Sequence, residues 1–335
     1  MSAAGSNVPI EVAVGILEDA QGRVLIAQRP IGKAYAGYWE FPGGKIESGE
    51  TVERALAREL HEELGVQVQV CEPLLTLVHR YPEYTVRLQI RRVRGFSGEA
   101  RSREQQALSW VNPDELNQWR LLPADGPVVQ AIRQPPHYVF TPSDWDVNRT
   151  PEALDSLPER ALLRLRLPAL SDEQYGQMAA EVLPWCQVRN LTLMLDRGPE
   201  LVERLGGCGL HYTEQALQGA AARSRLPAHW TVAGSVHDAE GLALAAERAD
   251  LAVLGPVLAT QTHPQAQGLG WPQFSGLCES ARLPVYAIGG VSVEQVSHVR
   301  SHGGQGVAGI RTYWSGGSRG GSASSKSSAV SEGKA

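Results

Sequence analysis

The sequence predicts two domains, an α+β domain followed by an α/β domain folded as a closed (β/α)8 barrel. The chain has 335 residues, which is more than one hydrophobic core usually organises. Hydrophobic residues make up 42% and charged residues 20%, as in ordinary globular proteins. The spacing of apolar residues changes at Pro135-Pro136, from an irregular mixture to regular strand–helix alternation. We therefore expect domains at residues 1–134 and 135–314.

The first domain opens with two strand-like runs, at 11–17 and 23–29, separated by the turn residues Asp19, Gln21 and Gly22. This arrangement predicts a β-hairpin. A helix is predicted over 51–64, because Leu56, Leu60 and Leu64 form one apolar stripe and Gly65 is placed to end it. Further strands are predicted at 73–79 and 85–93, and a second helix at 126–133.

The second domain contains eight short apolar runs with helical stretches between most of them. The strands are predicted at 138–141, 161–167, 191–195, 209–212, 231–235, 251–255, 284–290 and 306–310, and helices at 171–183, 239–247 and 292–301. Eight strands with helical crossovers favour a closed barrel over an open sheet. Residues 315–335 are rich in Gly and Ser and are predicted to be disordered.

The composition excludes several classes of function. A net charge of −5 does not provide the basic surface that binds a nucleic-acid polymer. The N-terminal residues do not resemble a signal peptide, and no run is long and apolar enough for a bilayer, so we expect a cytoplasmic protein with no membrane partner. The cysteines lack zinc or disulfide spacing and are interpreted as buried thiols: Cys71, Cys186, Cys208 and Cys278.

The helix predicted over 51–64 carries a cluster of carboxylates. Glu59, Glu62 and Glu63 stand at i, i+3 and i+4, so they share one face and repel one another. A hard divalent cation such as Mg²⁺ relieves that repulsion. Arg58 can orient Glu62 at i, i+4, and the preceding loop, 41–45, offers glycine backbone that a ligand can approach closely. A solvated helix face would show the same local composition.

The spacing around these acids is more specific. Gly44, Glu50, Arg58, Glu59, Leu60, Glu62, Glu63, Gly65 and Val66 match every fixed position of the Nudix box. Residues 8–133 therefore resemble a Nudix hydrolase, which implies a mixed sheet sandwiched by helices. The amino-acid sequence at 15–30, 39–51 and 121–129 is similar to that of the MutT type, the 8-oxo-dGTP diphosphatases.

This resemblance implies the site residues and the chemistry. Glu59, Glu62, Glu63 and Glu104, with the carbonyl of Gly43, would hold Mg²⁺, with Mn²⁺ as a substitute. Arg29, Phe41 and Lys45 would contact the nucleotide. Water activated by the metal would attack a phosphorus of a nucleoside triphosphate and release pyrophosphate, with Glu59 or Glu104 as the base. Glu104 lies outside the box, and an exposed loop acid is the alternative there.

Asp125 departs from the MutT pattern, which typically has an asparagine that accepts from and donates to the 8-oxopurine. An ionised aspartate only accepts, so it would tolerate the N7 hydrogen of the oxidised base and repel its O6. On that premise Asp125 does not itself favour oxidised guanine, although the MutT resemblance still implies 8-oxo-dGTP as the substrate, with another nucleotide as the alternative. The alternative is that Asp125 is only a turn residue before Gly126-Pro127.

The second domain resembles thiamin phosphate synthase and its TenI relatives, in a TIM barrel over about 137–314. The segments that carry the likeness are 209–217, 235–241, 249–264, 283–290 and 303–314. By this resemblance Gly289, Gly290 and Gly309 would bind the phosphate of a small molecule through backbone amides. Tight βα turns would require the same glycines.

The synthase residues themselves are altered. The Gln-x-Arg-x-Lys run of the synthases is represented by Arg164, Arg166 and Pro168. Leu195-Asp196 stands for an Asn-Asp pair, and Ala216 and His263 replace a metal-binding aspartate and a lysine. Without both lysines the barrel lacks the charge that holds a leaving pyrophosphate. We interpret it as a binding or regulatory module for a thiamin-related phosphate, with weak synthase-like activity as the alternative. His211 and His237 are interpreted as hydrogen-bonded wall residues.

Overall fold

The computed structural model describes residues 8–145, 150–259 and 267–314. His263 and the predicted disordered segment 315–335 lie outside the described residues. Within the described part of the chain, no helix combines the length and apolarity that crossing a membrane requires. Three of the thiols are buried as expected and Cys71 is half-buried. Burial raises the pKa of all four thiols.

The N-terminal domain contains two sheets. Its strands are β1 (Ile10–Leu17), β2 (Val24–Gln28), β3 (Trp39–Glu40), β4 (Gly43–Lys45), β5 (Gln67–Arg80), β6 (Thr85–Ser97) and β7 (Leu108–Val111). One sheet has the order β4-β1-β6-β5 and the other the order β3-β2-β7. The first sheet is mixed, because β1 pairs with β6 in parallel while β1–β4 and β5–β6 are antiparallel.

The predicted hairpin at the start of the domain forms only as a turn. The Asp19 side chain accepts from the backbone N–H of Gln21 and Arg23, each at 2.9 Å, and fixes that turn. A single antiparallel bridge, Glu18 to Val24, joins the two runs. Beyond it β1 and β2 enter different sheets. The alternation of apolar residues marks strands but does not specify their partners.

Two helices cover opposite faces of the mixed sheet, α1 (Val52–Leu64) and α2 (Gly126–Arg133). The Thr51 side chain caps the start of α1 by accepting from Arg54 N at 3.3 Å. Gly65, with φ +75°, ends it in the left-handed conformation. The predicted stripe of Leu56, Leu60 and Leu64 is fully buried. The fold expected for this domain is confirmed, and α1 presents its polar face away from that stripe.

The C-terminal domain is the predicted closed barrel of eight parallel strands. They are β8 (His137–Phe140), β9 (Leu162–Leu165), β10 (Thr192–Leu195), β11 (Gly209–Tyr212), β12 (Val232–Val236), β13 (Leu251–Leu254), β14 (Val285–Ala287) and β15 (Gly306–Gly309). Pairing of β15 with β8 closes the ring. The helices are α3 (Thr150–Asp155), α4 (Asp172–Val188), α5 (Pro199–Leu205), α6 (Glu214–Gly219), α7 (Ala239–Arg248), α8 (Gly270–Ser280), α9 (Val296–Ser301) and α10 (Arg311–Trp314).

The two domains contact each other through β5 and β6 on one side and α8 and α9 on the other. Arg87 of β6 forms an ion pair with Glu279 of α8. Arg300 of α9 lies 3.4 Å from the Glu72 carboxylate of β5. The helices of the barrel therefore pack on a strand pair of which β6 also lines the candidate site described next.

Candidate functional site

A cavity of the N-terminal domain has a volume of about 950 Å³ and lies beside β1, β4 and the C-terminal half of α1. Many of the residues predicted from the sequence line it. These are Arg29, Phe41, Gly43, Lys45, Glu59, Glu63, Glu104 and Asp125. Arg58 and Glu62 do not line it. The cavity has an acidic end, formed by α1 and the loop that contains Glu104, and a second end that contains Asp125.

Two glycines let the chain pass close to the acids. Gly43 has φ +147°, and a Cβ there would lie 2.1 Å from the carbonyl oxygen of Ala13. A Cβ on Gly44 would lie 2.2 Å from Cδ of Glu59. Any side chain at either position would clash with the sheet or with the acid. The glycines thus seat Glu59 against the loop that precedes α1.

Arg58 holds the acidic face in place. Its Nε and Nη2 donate to the two carboxylate oxygens of Glu50 at 3.1 and 2.9 Å, and its Nη1 donates to Glu59 at 2.8 Å. Nη2 also donates to the carbonyl of Lys45 at 3.0 Å. Hydrogen bonds to Glu50 and Glu59 raise the pKa of Arg58. One guanidinium therefore ties α1 to the loop, and its predicted contact with Glu62 is the longest, at 3.6 Å.

Glu63 is the most perturbed acid at this end. Burial is the largest cause that raises its pKa to about 7, and the charges of Glu40, Glu104 and Glu59 raise it further. The N–H of Gly43 donates to this carboxylate and acts in the opposite direction. Crowded acids of this kind are stabilised by a bound cation. The donors are all oxygens, which suits Mg²⁺.

The side chains as placed do not form a closed metal cage. Among the residues that the structure describes, no three His, Cys, Asp or Glu side chains are arranged to hold an ion. Glu59 is turned to Arg58, and Glu62 is 56% exposed beside the same guanidinium. Glu59, Glu63, Glu104 and Gly43 share the cavity, so they fit a cation by donor type, whereas Glu62 lies at its margin.

Asp125 lies at the other end of the cavity and is 4% exposed. Its Oδ2 is buried without a hydrogen-bond partner in the described structure, and its side chain does not cap α2. Burial is the main reason that its pKa lies well above the ordinary value, and Glu40 raises it further against the opposing effect of Arg29. Burial therefore favours the protonated form of Asp125, in the direction opposite to the ionised aspartate that the sequence suggested.

Several cavity residues were not predicted from the sequence. Tyr81 and Tyr84 follow β5 with ring centroids 5.0 Å apart, and Tyr35 lies 5.3 Å from Tyr81. Lys33 lies 3.3 Å from the carboxylate of Glu104. Glu40 forms an ion pair with Arg29, whose Nε also donates to the carbonyl of Ala34 at 2.7 Å. These residues lie in turns or in the two-residue strand β3, where periodicity gives no information.

At the carboxyl ends of the barrel strands, charged and polar groups pair with one another. Arg164 Nη2 donates to Asp196 at 3.2 Å, and both side chains are buried. His211 Nδ1 lies 2.7 Å from the hydroxyl of Tyr138, and its Nε2 lies 2.8 Å from that of Ser235. Burial holds the pKa of His211 well below its ordinary value, so the ring is neutral. The interpretation of His211 as a wall residue is confirmed.

The predicted phosphate-binding glycines occupy tight positions. Gly289 and Gly290 follow β14 with φ of +90° and +69°. A Cβ on Gly290 would lie 2.6 Å from that of Leu258. Gly309 ends β15, where a Cβ would lie 2.9 Å from the methyl group of Thr312. Packing alone thus accounts for Gly290 and Gly309, and phosphate binding stays a prediction.

Comparisons with known proteins place both domains. Residues 13–131 match the family described as NUDIX domain, and residues 137–313 match the family described as thiamine monophosphate synthase. The CTP pyrophosphohydrolase of Escherichia coli (strain K12) is 41% identical over 123 residues, which are 37% of this chain and 90% of that protein. The 8-oxo-dGTP diphosphatase of the same organism is 34% identical over 125 residues, 37% of this chain and 97% of that protein.

The thiamine-phosphate synthase of Laribacter hongkongensis (strain HLHK9) is 30% identical over 148 residues, which are 44% of this chain and 70% of that protein. The chain is a Nudix hydrolase with a C-terminal domain of the thiamine monophosphate synthase family. In this Nudix hydrolase, the Nudix box forms the acidic end of the cavity. In its barrel, Arg164 and Asp196 neutralise each other.

Proposed function

We propose that the Nudix domain is a Mg²⁺-dependent nucleoside triphosphate pyrophosphohydrolase whose preferred substrate is 8-oxo-dGTP. Water and 8-oxo-dGTP would give 8-oxo-dGMP and diphosphate. The observation that carries the proposal is one cavity with crowded carboxylates at one end and, at the other, a buried Asp125 whose Oδ2 has no hydrogen-bond partner in the described structure. The role would be to remove an oxidised nucleotide from the cytoplasmic pool before DNA replication.

The acidic end would bind the triphosphate together with the cation. Glu59, Glu63, Glu104 and the carbonyl of Gly43 would hold Mg²⁺, for which Mn²⁺ can substitute. When bound, Mg²⁺ neutralises phosphate charge and lowers the pKa of water. Glu59 or Glu104 accepts the proton as the water oxygen bonds to phosphorus. The bridging P–O bond then breaks, and its electron pair stays on the departing phosphate oxygen.

The other end would read the base. A neutral carboxylic acid has an O–H that donates and an adjacent carbonyl oxygen that accepts. Guanine presents two acceptors on this edge, N7 and O6, whereas 8-oxoguanine has a hydrogen on N7. We propose that Asp125 binds the base in its protonated form, which would donate to O6 in both bases but accept only from the oxidised one. It would therefore replace the asparagine that the MutT type has at this position, because both groups have a donor beside an acceptor.

CTP is the second candidate substrate. The cytosine edge offers an amino donor beside an acceptor nitrogen, which the same neutral acid can bind. The Escherichia coli relative with 41% identity is named CTP pyrophosphohydrolase. Tyr81 and Tyr84, whose rings are tilted by 36° to each other in the lining of the cavity, offer aromatic contact to either a purine or a pyrimidine.

The test is the ratio of kcat/KM for 8-oxo-dGTP, dGTP and CTP, measured on the wild type, Asp125→Asn and Asp125→Leu. We expect the wild type and Asp125→Asn to prefer 8-oxo-dGTP over dGTP by about ten- to a hundredfold, from one bidentate pair. Asp125→Leu should lose that preference and keep hydrolysis. Chelation of Mg²⁺ and Mn²⁺ should abolish all turnover. A wild type without preference, beside an Asp125→Asn variant that gains it, would contradict the neutral acid.

A further inference from the structure

Helix α2 connects the base-reading end of the cavity to the barrel. Asp125 immediately precedes its first residue, Gly126, and lines the cavity. Ala131 and Gln134 lie at its other end, where the last carbonyls of a helix have no partner within it. The question is which groups satisfy those carbonyls.

One side chain from the barrel does so. Gln305 is fully buried, and its amide nitrogen donates to Ala131 O at 3.0 Å and to Gln134 O at 2.9 Å. Both amide hydrogens are therefore used on the end of α2. Its Oε1 has no hydrogen-bond partner in the described structure, so the contact with α2 accounts for all the polar bonds of this side chain.

Gln305 is itself fixed by the barrel. It directly precedes β15, and its N–H donates to Val285 O at 2.7 Å. Its carbonyl accepts from Arg300 Nε at 3.2 Å. The next residue, Gly306, runs so close to the linker that a Cβ would lie 1.9 Å from Pro136 O. The amide thus belongs to a rigid part of the barrel wall.

We propose that Gln305 is a positioning residue for nucleotide hydrolysis, through which the barrel sets the placement of α2 and so of Asp125. A two-turn helix moves as one unit, so a shift at Ala131 displaces the carboxyl at the opposite end. The barrel then serves the Nudix domain as a scaffold, whatever ligand it binds. This inference rests on the proposed function, because it concerns the reading of the base.

The test uses the full chain with Gln305→Met, which keeps the volume and removes both donors. The matched control is Glu279→Gln, which breaks the Arg87–Glu279 pair between the domains without touching α2. We expect Gln305→Met to raise KM for 8-oxo-dGTP about five- to tenfold and to reduce the preference over dGTP, with kcat within about twofold. The control should leave KM and the preference unchanged.

Hydrogen exchange of the α2 amides gives a readout that needs no turnover. Exchange should be faster in Gln305→Met than in the control. Unchanged KM and preference in Gln305→Met would overturn the proposal, whether or not α2 exchanges faster. If no variant, including the wild type, hydrolyses a nucleotide, the proposed function fails. In that case unaltered exchange of the α2 amides in Gln305→Met would by itself reject the role of Gln305 in holding α2.

A milder variant covers the case in which Gln305→Met does not fold. Gln305→Asn keeps the amide on a shorter side chain that cannot reach both carbonyls. It should change KM, preference and α2 exchange in the same direction and by less. Values for Gln305→Asn equal to those of Glu279→Gln would reject the assignment.

Discussion

The Nudix cavity and the mouth of the barrel both contain several charged side chains, but the partners of those side chains differ. In the cavity, burial and then the neighbouring carboxylates raise the pKa of Glu63 to about 7, and Asp125 keeps a buried oxygen without a partner. In the barrel, Asp196 pairs with Arg164 and Arg197, and both nitrogens of His211 are bonded. Nε of Arg164 and Nε of Arg197 also lack hydrogen-bond partners, but each of these guanidiniums has the Asp196 carboxylate beside it, whereas Glu63 lies among other acids. The comparison assigns the chemistry to the Nudix domain.

The largest expected effect comes from the acids of that cavity. Glu63→Gln and Glu59→Gln should each lower kcat for 8-oxo-dGTP by about a thousandfold, because each removes a charge that faces the cation and the phosphates. Circular dichroism should show that both variants are folded, and Glu63→Gln should have a Tm at or above that of the wild type, because it also removes repulsion among the acids. Retention of wild-type turnover by both variants would reject the site.

Substitutions in the buried ion pair of the barrel should change the stability of the protein rather than its nucleotide turnover. Asp196→Asn leaves the buried Arg164 without its anion and should cost about 3–5 kcal/mol in the free energy of unfolding. The double variant Arg164→Met, Asp196→Asn should recover most of this loss, because it removes both charges. Hydrolysis of 8-oxo-dGTP should stay within about twofold in both, as measured at 25 °C. A large loss of turnover would show that the comparison between the domains is wrong.

The substitution Asp125→Asn should have a smaller effect, seen as a pH-dependent change in the Tm of the protein without substrate. The pKa of Asp125 is raised in the folded protein, so its contribution is present below the unfolded pKa and is lost as pH rises toward the folded one. An asparagine at this position does not titrate, so it would not lose stability as pH rises. The Tm difference between Asp125→Asn and the wild type should therefore shift toward the variant between pH 5 and pH 8, by roughly 2–4 °C per kcal/mol. A difference that does not change with pH would indicate an ionised aspartate.

Sequence and structure agree where local chemistry decides the outcome. The Leu56, Leu60 and Leu64 stripe, the Gly65 stop and all eight barrel strands are confirmed, because each depends on periodicity or on a turn residue. The partners of β1 and β2 and the two-residue strand β3 could not be predicted, since pairing depends on contacts distant in sequence.

The charge state of Asp125 shows the same limit at the site. Its position at the end of a turn suggests an ordinary ionised carboxylate, and only the surrounding fold favours its protonated form. Burial by the tertiary structure and the neighbouring Glu40, brought in by β3, raise its pKa. A sequence gives the identity of a titratable group, but its environment is set by elements that meet only after folding.

Lys33 should have the smallest effect and sharpens the comparison at the edge of the cavity. It is 53% exposed and 3.3 Å from Glu104, so the pair should contribute little to stability. A triphosphate entering the cavity would offer this ammonium a stronger partner. Lys33→Ala should raise KM about two- to fivefold with kcat and Tm unchanged, and the difference should shrink at high salt. Lys33→Arg, which keeps the charge, should restore the wild-type KM. If Lys33→Ala instead lowers kcat at unchanged KM, the lysine acts through Glu104 rather than on the substrate.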